Sequence, residues 1–451
     1  MTLPTPVPYT GSMTTRRKKL SIITLGCQMN SHDSEWISGA LANEYDYTTD
    51  RSQADLLVVN TCAVREKAEE KFFSLLGRLR PLKAAKKGMV ALVAGCVAQE
   101  LADKIMKREP FVDIIIGTRA IGRTPLILQR FHETGQPQVD ISDDSAFDDY
   151  PMRRESEISA WVSIMRGCDN HCSYCIVPTT RGPEQSRPTE SILDEIRGLA
   201  NKGYKEITLL GQNVNSYGAG LAPAIDFPGL LNKIEEIGVV ERLRFVTSHP
   251  KDLSGRLIEA MANIKSLCPS IHLPIQSGSD RILKLMNRGY TSASYFEKLD
   301  KLKDRVKDIA VTSDVIVAFP GETDDDFEQT YNAIERAQFA NIYLFKYSRR
   351  QGTKAAELMG AIDRQVVSER FNRVMDVQKE ITRAEHLRWL GATLEILVDG
   401  PSKRDIKRYS GRTGQNLVVN FSSDKDYTGQ IIHVKITKSR QFSLEGVLLQ
   451  L

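Results

Sequence analysis

A sixfold alternation of short apolar runs with charged stretches, between residues 158 and 348, constrains the fold more than any other feature of this sequence. Each run is followed by a stretch with the amphipathic or charged pattern typical of a helix. The runs are ISAWVSIMRG, EITLLGQNVN, RLRFVTSHP, SIHLPIQSG, AVTSDVIVAFPGE and IYLFKYS. Repeated βα units of this kind predict a parallel barrel or partial barrel, with active side chains on the loops that follow the strands.

The part of the chain before this region has the pattern of an open α/β domain. Three apolar, β-branched runs, KLSIITLGC, ADLLVVNTC and MVALVAGC, are separated by helix-compatible stretches such as VREKAEEKFFSLLGRLRPLKAAKK. Runs of this type are typical of strands buried in a parallel sheet. We therefore predict an open parallel α/β domain over residues 19–139, followed by an acidic linker over 140–157, where DISDDSAFDDY precedes Pro151.

The sequence changes character again at Gly391. A long charged helical pattern over 362–390 ends there, and four short strand-like runs follow: ATLEILVDGP, NLVVNF, TGQIIHVKITKS and SLEGVLLQL. This pattern predicts a small antiparallel β-barrel over 391–451, after a central α/β domain over 158–390.

Composition limits the class of protein. The 451 residues are 41% hydrophobic and 26% charged, as expected for a globular protein of two or three domains. Residues 1–18 lack the apolar core of a secretory signal, so we expect a disordered N-terminus. Because no apolar run approaches the roughly eighteen residues of a membrane span, we expect a cytoplasmic protein that does not enter the membrane.

Three of the seven cysteines lie in one loop after the first predicted barrel strand. Cys168, Cys172 and Cys175 have the spacing C-x3-C-x2-C. Clustered cysteines in a cytosolic chain are more often metal ligands than disulfides, and thiolates hold iron–sulfur clusters. Three thiolates on a cubane cluster leave one iron open, whereas a zinc ion needs a fourth ligand, which His171 or a distant cysteine could supply.

A second set of three cysteines is spread along the N-terminal domain. Cys27, Cys62 and Cys96 are 35 and 34 residues apart, each the last residue of a predicted strand. Parallel strands end at the same edge of a sheet, so the three side chains can converge on one crevice as a second metal site. The alternative is that each is a small buried apolar residue. Cys268 has no partner spacing, and we interpret it as a packing residue.

Taken together, the two cysteine sets resemble the methylthiotransferase family of the radical S-adenosylmethionine (SAM) superfamily, and in particular its tRNA 2-methylthioadenosine synthase branch. The resemblance runs from about Lys19 to Leu451, and AVREKAE and GRTGQN favour the tRNA branch over the one that modifies a ribosomal protein. It implies an N-terminal methylthiotransferase domain, a radical-SAM partial (βα)6 barrel and an RNA-binding TRAM barrel. The motifs are LGCQMNSHDSE, NTCAVREKAE, AGCVAQ, RGCDNHCSYCIVPTTRG, LGQNVN, HLPIQSGS and MNRGY.

The resemblance also implies the chemistry. Each cysteine set would hold a [4Fe–4S] cluster, and SAM would serve both as methyl donor at the first and as radical source at the second. The implied reaction adds a methylthio group to C2 of N6-isopentenyladenosine at position 37 of a tRNA anticodon loop. A different modified tRNA adenosine, or a side chain of a ribosomal protein, stays open as the substrate. The implied protein partners are an electron donor, such as a flavodoxin or ferredoxin, and an iron–sulfur or sulfur delivery protein.

Polar and aromatic residues at the ends of the predicted barrel strands are candidates for SAM contacts. Amides in LLGQNVNSY offer donors and acceptors, although an amide-rich turn is the alternative explanation. The candidates are Tyr174, Gln212, Asn213, Asn215, Ser248, Gln276, Ser277 and Phe345.

The basic charge of the chain is concentrated in the predicted TRAM domain. The last 61 residues hold nine Lys or Arg against six acidic residues, a local net charge of +3 in a chain whose total is +4. A small β-barrel with such a surface can bind a phosphate backbone, although a charged run is more often a solvated face. We expect RNA contacts from Arg404, Lys407, Arg408 and Arg412. A metal-stabilised RNA-binding protein, with zinc in both cysteine sets and no catalysis, is the competing hypothesis from another class.

Overall fold

The computed structural model describes residues 16–62, 66–143, 152–402 and 405–449. The chain divides into two compact units, which are described in turn. The first is built from segments 1–25, 33–61 and 71–153, and the second from 26–32, 62–70 and everything from residue 154. Residues 1–15 of the predicted disordered N-terminus and 144–151 of the predicted acidic linker lie outside the described residues.

A six-stranded parallel sheet forms the centre of the first unit, with the strand order β2-β1-β3-β4-β5-β6. Every residue of β3 and β4 is buried, which explains their continuous apolar sequences. The three predicted strands are confirmed. β2, β5 and β6 were not predicted, because each has only three residues and a strand that short shows no recognisable alternation. The strands are β1 (Lys18–Thr24), β2 (Tyr45–Tyr47), β3 (Leu56–Thr61), β4 (Val90–Gly95), β5 (Ile114–Ile116) and β6 (Gln138–Asp140).

The positions of the N-terminal cysteines relative to these strands need a correction. None of the three is a strand residue: Cys62 directly follows β3, Cys96 is the first residue of a helix, and Cys27 comes three residues after β1. Gly26, directly before Cys27, and Gly95, the last residue of β4, have positive φ angles, so the chain leaves the extended conformation there. The helices of this part of the chain are α1 (Gln28–Ala40), α2 (Glu66–Ala85), α3 (Cys96–Arg108) and α4 (Thr124–Thr134).

The second unit contains the predicted partial barrel. Its six principal strands form two parallel sheets of three, ordered β11-β10-β7 and β12-β13-β14, with a further parallel bridge between Leu243 and Leu267. All six predicted strands are present. The strands are β7 (Ser159–Ser163), β8 (Met165–Arg166), β9 (Gln185–Ser186), β10 (Glu206–Leu210), β11 (Arg242–Phe245), β12 (Ser270–His272), β13 (Ala310–Val317) and β14 (Asn341–Lys346).

Helices cover one face of these strands and bury a large apolar core. Thr291 and Thr323 each form a capping box at a helix start, which fixes where the chain turns back from the sheet. The helices are α5 (Val177–Arg181), α6 (Thr189–Asn201), α7 (Phe227–Ile237), α8 (Gly255–Asn263), α9 (Asp280–Leu285), α10 (Ser292–Arg305), α11 (Asp324–Ala337) and α12 (Arg364–Leu387). Among the described residues, no helix is both long and apolar enough to cross a membrane.

The end of the chain forms a closed five-stranded barrel in the order β15-β16-β17-β19-β18. Four of its pairings are antiparallel, as predicted, and the pairing of β17 with β19 is parallel. β16 was not predicted because DIKRYSGRT lacks apolar alternation. It forms a strand because it pairs with β15 on one side and β17 on the other. The strands are β15 (Thr393–Ser402), β16 (Asp405–Thr413), β17 (Val418–Ser422), β18 (Ile431–Ser439) and β19 (Leu444–Leu448).

Two buried arginines of β11 join this small barrel to the larger one within the second unit. Arg242 donates to the carbonyl of Arg412 at 2.6 Å and pairs with Glu395 at 2.9 Å. Arg244 donates to the carbonyls of Thr413 and Gly414 and to a carboxylate oxygen of Glu206. Arg242 is the first residue of β11, and Arg244 bonds to Glu206, the first residue of β10. The small barrel is therefore attached at the strand edge opposite the loops that follow the strands.

Candidate active site

The loop that carries Cys168, Cys172 and Cys175 is fixed to the protein at several points. The backbone N–H of Cys168 donates to the carbonyl of Gly182, and that of Cys175 donates to the carbonyl of Cys172. Between them, the N–H of Ser173 donates to Met286, and its carbonyl accepts from Ala355 at 2.8 Å. The loop is therefore held in one shape by the end of α9 and by the segment after β14.

Gly167 allows the loop to begin where it does. Its φ is +75°, and a Cβ atom there would lie 1.8 Å from the carbonyl oxygen of Pro183. Only glycine tolerates both the left-handed backbone and this close approach. Residues 182 and 183 can thus cross directly over the start of the cysteine loop.

The three thiols share one electrostatic environment. Burial raises the pKa of Cys175 to about 12, and the neighbouring thiols Cys172 and Cys168 act in the same direction. Burial also raises the pKa of Cys168, opposed by a hydrogen bond from the N–H of Asn170 at 3.4 Å. Three thiolates on one anchored loop suit a [4Fe–4S] cluster, which is held by cysteine sulfur. Among the described residues, no three His, Cys, Asp or Glu side chains are gathered around a position for a single metal ion.

Unpartnered polar atoms line the loops after β10 and β11, at the same strand edge as the cysteine loop. The atoms are Gln212 Oε1, Asn213 Oδ1, both amide atoms of Asn215, and Ser248 Oγ; all are buried and lack a hydrogen-bond partner in the described part of the chain. Leaving such atoms unpaired costs free energy, so they are typical of a surface that binds a polar molecule. The amide nitrogen of Asn213 is held by Asp252 at 2.7 Å, which leaves its oxygen as the available acceptor.

The remaining predicted SAM contacts lie in different surroundings. Ser277 is fully buried, and its hydroxyl already bonds with Thr330 at 2.9 Å and accepts from the N–H of Ser279. Gln276 has a φ of 68° and both of its backbone polar groups bonded to β13. Tyr174 and Phe345 pack against an apolar cluster that includes Phe319.

Sequence reasoning missed further residues at this edge. Ser348 Oγ and Arg350 Nη2 are also buried without a partner among the described residues. Their signal was the polar run YSRR directly after the last barrel strand. Arg288, in the motif MNRGY, donates a hydrogen bond to the Cys172 sulfur at 3.2 Å, a role that the motif alone does not predict.

Two of the N-terminal cysteines, Cys27 and Cys62, are in contact. A hydrogen bond with Cys62 lowers the pKa of Cys27 to about 5, and the positive charge of Arg181 acts in the same direction, against the effect of burial. Gly26 permits this contact, because a Cβ atom there would lie 2.5 Å from Cys62 Cβ. In the sheet of the first unit, Thr61 pairs with Gly95, and Cys96 is the residue after Gly95.

The predicted RNA contacts lie on the small barrel, except Arg404, which is outside the described residues. Lys407 is exposed and pairs with Asp424, whereas Arg412 donates to Asn416 Oδ1. Arg408 shares the carboxylate of Glu445 with Arg440, which sequence reasoning did not single out. Phe442 lies between β18 and β19, two residues after Arg440 in sequence, and is 79% exposed.

Family models match three segments of the chain. Residues 162–334 match the radical SAM superfamily, residues 388–449 match the TRAM domain, and residues 19–117 match a family described as uncharacterized protein family UPF0004. The order of these segments agrees with the order implied by the resemblance.

Solved structures with the same fold are radical SAM proteins. The radical S-adenosylmethionine methyltransferase TsrM from Kitasatospora setae, solved with cobalamin and a [4Fe–4S] cluster, has a TM-score of 0.57 at 12% identity and covers 76% of this chain and 74% of its own. The cobalamin-dependent radical enzyme OxsB has a TM-score of 0.53 at 13% identity, covering 81% of this chain and 56% of its own. At these identities the likeness concerns the fold alone.

Curated relatives match over nearly the whole chain. A tRNA-2-methylthio-N(6)-dimethylallyladenosine synthase from Alkaliphilus oremlandii is 45% identical over 440 residues, covering 96% of this chain and 93% of the relative. One from Acetivibrio thermocellus is 43% identical, covering 98% and 93%. The resemblance seen in the sequence is confirmed: the chain belongs to the tRNA-2-methylthio-N(6)-dimethylallyladenosine synthase family, and it is a radical SAM tRNA methylthiotransferase with two [4Fe–4S] clusters and SAM as cofactors.

Proposed function

We propose that this enzyme adds a methylthio group to C2 of N6-isopentenyladenosine at position 37 of a tRNA anticodon loop. The observation that carries the proposal is the anchored loop of Cys168, Cys172 and Cys175 beside unpartnered amides at one strand edge. The relatives are named for this product, in which dimethylallyl is the isopentenyl group on N6. An adenine C2–H offers no handle to acid–base residues, so the reaction requires cofactor chemistry.

Cys168, Cys172 and Cys175 are the proposed ligands of the radical cluster. When bound, this cluster and SAM supply the one-electron chemistry that breaks an unreactive C–H bond. The chain's own residues hold the loop in place through Gly182, Met286 and Ala355. The ring of Tyr174, within the loop, packs against the buried ring of Phe319, with centroids 6.5 Å apart.

The proposed SAM contacts are the strand-end residues whose polar atoms are still available. Gln212, Asn213, Asn215 and Ser248 offer these atoms, while Gln276, Tyr174 and Phe345 shape the surroundings. We omit Ser277 from this set because its hydroxyl is fully bonded within the protein.

Cys27, Cys62 and Cys96 are the proposed ligands of the second cluster. Support comes from the adjacent ends of β1, β3 and β4, which these residues follow, and from the lowered pKa of Cys27, which favours the thiolate that binds metal. A methylthio group needs a carrier for its sulfur, and this set would provide it.

The small barrel is the proposed tRNA-binding element. Lys407, Arg408 and Arg412 supply exposed positive charge, and Phe442 offers a ring for stacking an unpaired base. Arg404 is included because of its position in the sequence.

The proposed domains span residues 19–139, 158–390 and 391–451. The proposed partners, met in the cytoplasm, are a flavodoxin- or ferredoxin-type reductant and an iron–sulfur or sulfur delivery protein.

One anaerobic experiment tests the substrate. The protein is reconstituted with iron and sulfide, reduced with SAM and isopentenylated tRNA, and both digested nucleosides and 5′-deoxyadenosine are measured by mass spectrometry. We expect a 2-methylthio-N6-isopentenyladenosine peak together with 5′-deoxyadenosine. Deoxyadenosine without that peak would redirect the search to another adenosine or a ribosomal protein, and the absence of both would contradict the proposed chemistry.

A further inference from the structure

Arg288 is a buried guanidinium whose contacts converge on the radical-cluster loop. The residue is 5% exposed. Its Nη1 donates to Cys172 Sγ at 3.2 Å and to Tyr174 OH at 3.3 Å. Its Nη2 donates to the carbonyl of Pro274, and its Nε donates to Tyr290 OH at 3.1 Å. A single side chain therefore spans from the cysteine loop to the backbone after β12.

The positive charge of Arg288 has no carboxylate partner among the residues that the structure describes. By contrast, buried Arg370 pairs with Glu322 at 2.6 Å, and buried Arg244 pairs with Glu206 at 2.8 Å. A buried charge without a counter-charge is strongly unfavourable, so proteins pair such charges or bind ions with them. The neighbours of Arg288 are a thiol, a carbonyl and two phenols, of which the thiol alone is a proposed metal ligand.

We propose that Arg288 is a positioning residue that compensates the negative charge of the cluster held by Cys168, Cys172 and Cys175 and thereby raises its reduction potential. The inference rests on the proposed assignment of these three cysteines. Net charge and hydrogen bonds to the sulfurs are two of the factors that set the potential of an iron–sulfur cluster. Reduction adds one electron to a site that is already anionic, so a nearby cation stabilises the reduced state more than the oxidised state. No proton or bond changes place, because the guanidinium stays charged throughout.

The test measures the midpoint potential of this cluster, not turnover. Full-length protein with Cys27, Cys62 and Cys96 changed to Ala is reconstituted, so that one cluster remains, and it is titrated anaerobically without SAM while the EPR signal of the reduced cluster is recorded. In this background we compare Arg288→Met, Arg288→Lys and the control Arg244→Met, which removes a buried arginine that contacts the small barrel instead.

Arg288→Met is expected to lower the equilibrium constant for reduction at least tenfold, which is about 59 mV towards negative potential for one electron. Arg288→Lys keeps the charge and is expected to stay near the parent potential, as is Arg244→Met. An unchanged potential in an Arg288→Met protein with full iron content overturns the proposal. If the Met variant holds no iron, the Lys variant decides: retained cluster and potential support the proposal, and loss of either overturns it. A parent protein that binds no iron would instead contradict the cysteine assignment.

Discussion

Arg244 Nη2 lies 2.7 Å from the carbonyl oxygen of Thr413, the last residue of β16. A side chain of the radical-SAM barrel therefore donates a hydrogen bond to the end of a strand of the small barrel. The same guanidinium is 7% exposed and also reaches Gly414 and Glu206. Backbone carbonyls at a strand end normally bond to water or to turn residues. Here they bond to an arginine, so this buried charge network contributes to the attachment of the small barrel alongside the contacts of Arg242.

Arg244→Met is expected to weaken this attachment. The substitution leaves Glu206 and two carbonyls without their buried donor, and breaking a buried pair in this way costs about 3 kcal/mol. Urea unfolding of the full chain measures the loss. Arg256→Met is the matched control, since that arginine is 71% exposed in its pair with Asp226 and is expected to change stability by less than about 1 kcal/mol. Equal losses in the two variants would contradict the network.

Asn215→Ala and Gln212→Ala are expected to weaken SAM binding without destabilising the fold. Each removes buried polar atoms that have no partner among the described residues, so folding loses no hydrogen bond, whereas a bound ligand loses one worth about 1.4 kcal/mol, or tenfold in Kd. Equilibrium binding of SAM to cluster-loaded protein, alongside a thermal melt, gives both quantities.

Ser277→Ala is the matched control for the SAM variants. Its hydroxyl bonds to Thr330 and Ser279, so it is expected to lower stability and leave the Kd for SAM unchanged. The reverse pattern, with weaker SAM binding in Ser277→Ala than in Asn215→Ala, would remove the strand-end amides from the proposed site.

Changing Cys27, Cys62 and Cys96 together to Ala is expected to separate the two halves of the chemistry. 5′-Deoxyadenosine should still form, because the proposed radical ligands are intact, but no methylthiolated nucleoside should appear. Cys268→Ala, which removes a buried cysteine outside both sets, should retain both products. Methylthiolated tRNA from the triple variant would exclude a sulfur-carrying role for this set.

Phe442→Ala and Arg408→Gln are expected to weaken tRNA binding in different ways. Loss of a stacking ring costs about 1–3 kcal/mol and leaves the salt dependence unchanged. Loss of a phosphate contact reduces the slope of log K against log salt concentration by roughly 0.7–0.9. Filter binding at several salt concentrations distinguishes them, with Phe442→Trp as a control that keeps a ring. If Phe442→Ala binds tRNA as tightly as the parent, the ring has no role.

The stability of the fold is expected to fall as the pH drops below neutrality, in part because of His249. Burial lowers the pKa of His249 to about 2, and the positive charges of Arg288, Lys251 and Lys298 act in the same direction. In the unfolded chain the ordinary value of 6.5 applies. Below pH 6.5 the unfolded state therefore binds a proton that the folded state does not bind. The free energy of unfolding falls by up to about 1.4 kcal/mol per pH unit as a result. His249→Gln should flatten the decrease between pH 6.5 and 5, as measured by urea unfolding.

Much of the fold could be predicted from the sequence because the longer elements have distinctive apolar patterns. The continuous apolar runs of β3 and β4 and the six barrel strands stand out from their surroundings, and the cysteine spacing identified the superfamily. β16 did not stand out, since a strand with Lys407, Arg408 and Arg412 in nine residues is defined by its neighbours rather than by its own pattern.

The environment of the cysteines depends on contacts between residues far apart in the chain, and no local pattern predicts those. Arg288 meets Cys172 across 116 residues, and Arg244 meets Thr413 across 169. The engagement of Ser277 by Thr330 likewise removed a plausible ligand for a reason outside its own motif.

Gly167 has a consequence for engineering. Three cysteines at the right spacing could be transplanted onto another parallel barrel, but the loop shape comes from the crossing of Pro183, whose carbonyl occupies the space of a Cβ at residue 167. A graft limited to the thiols would therefore reproduce the ligands without their geometry. A transferable module needs the segment from β8 to β9 together with the backbone groups of Met286 and Ala355 that hold the loop.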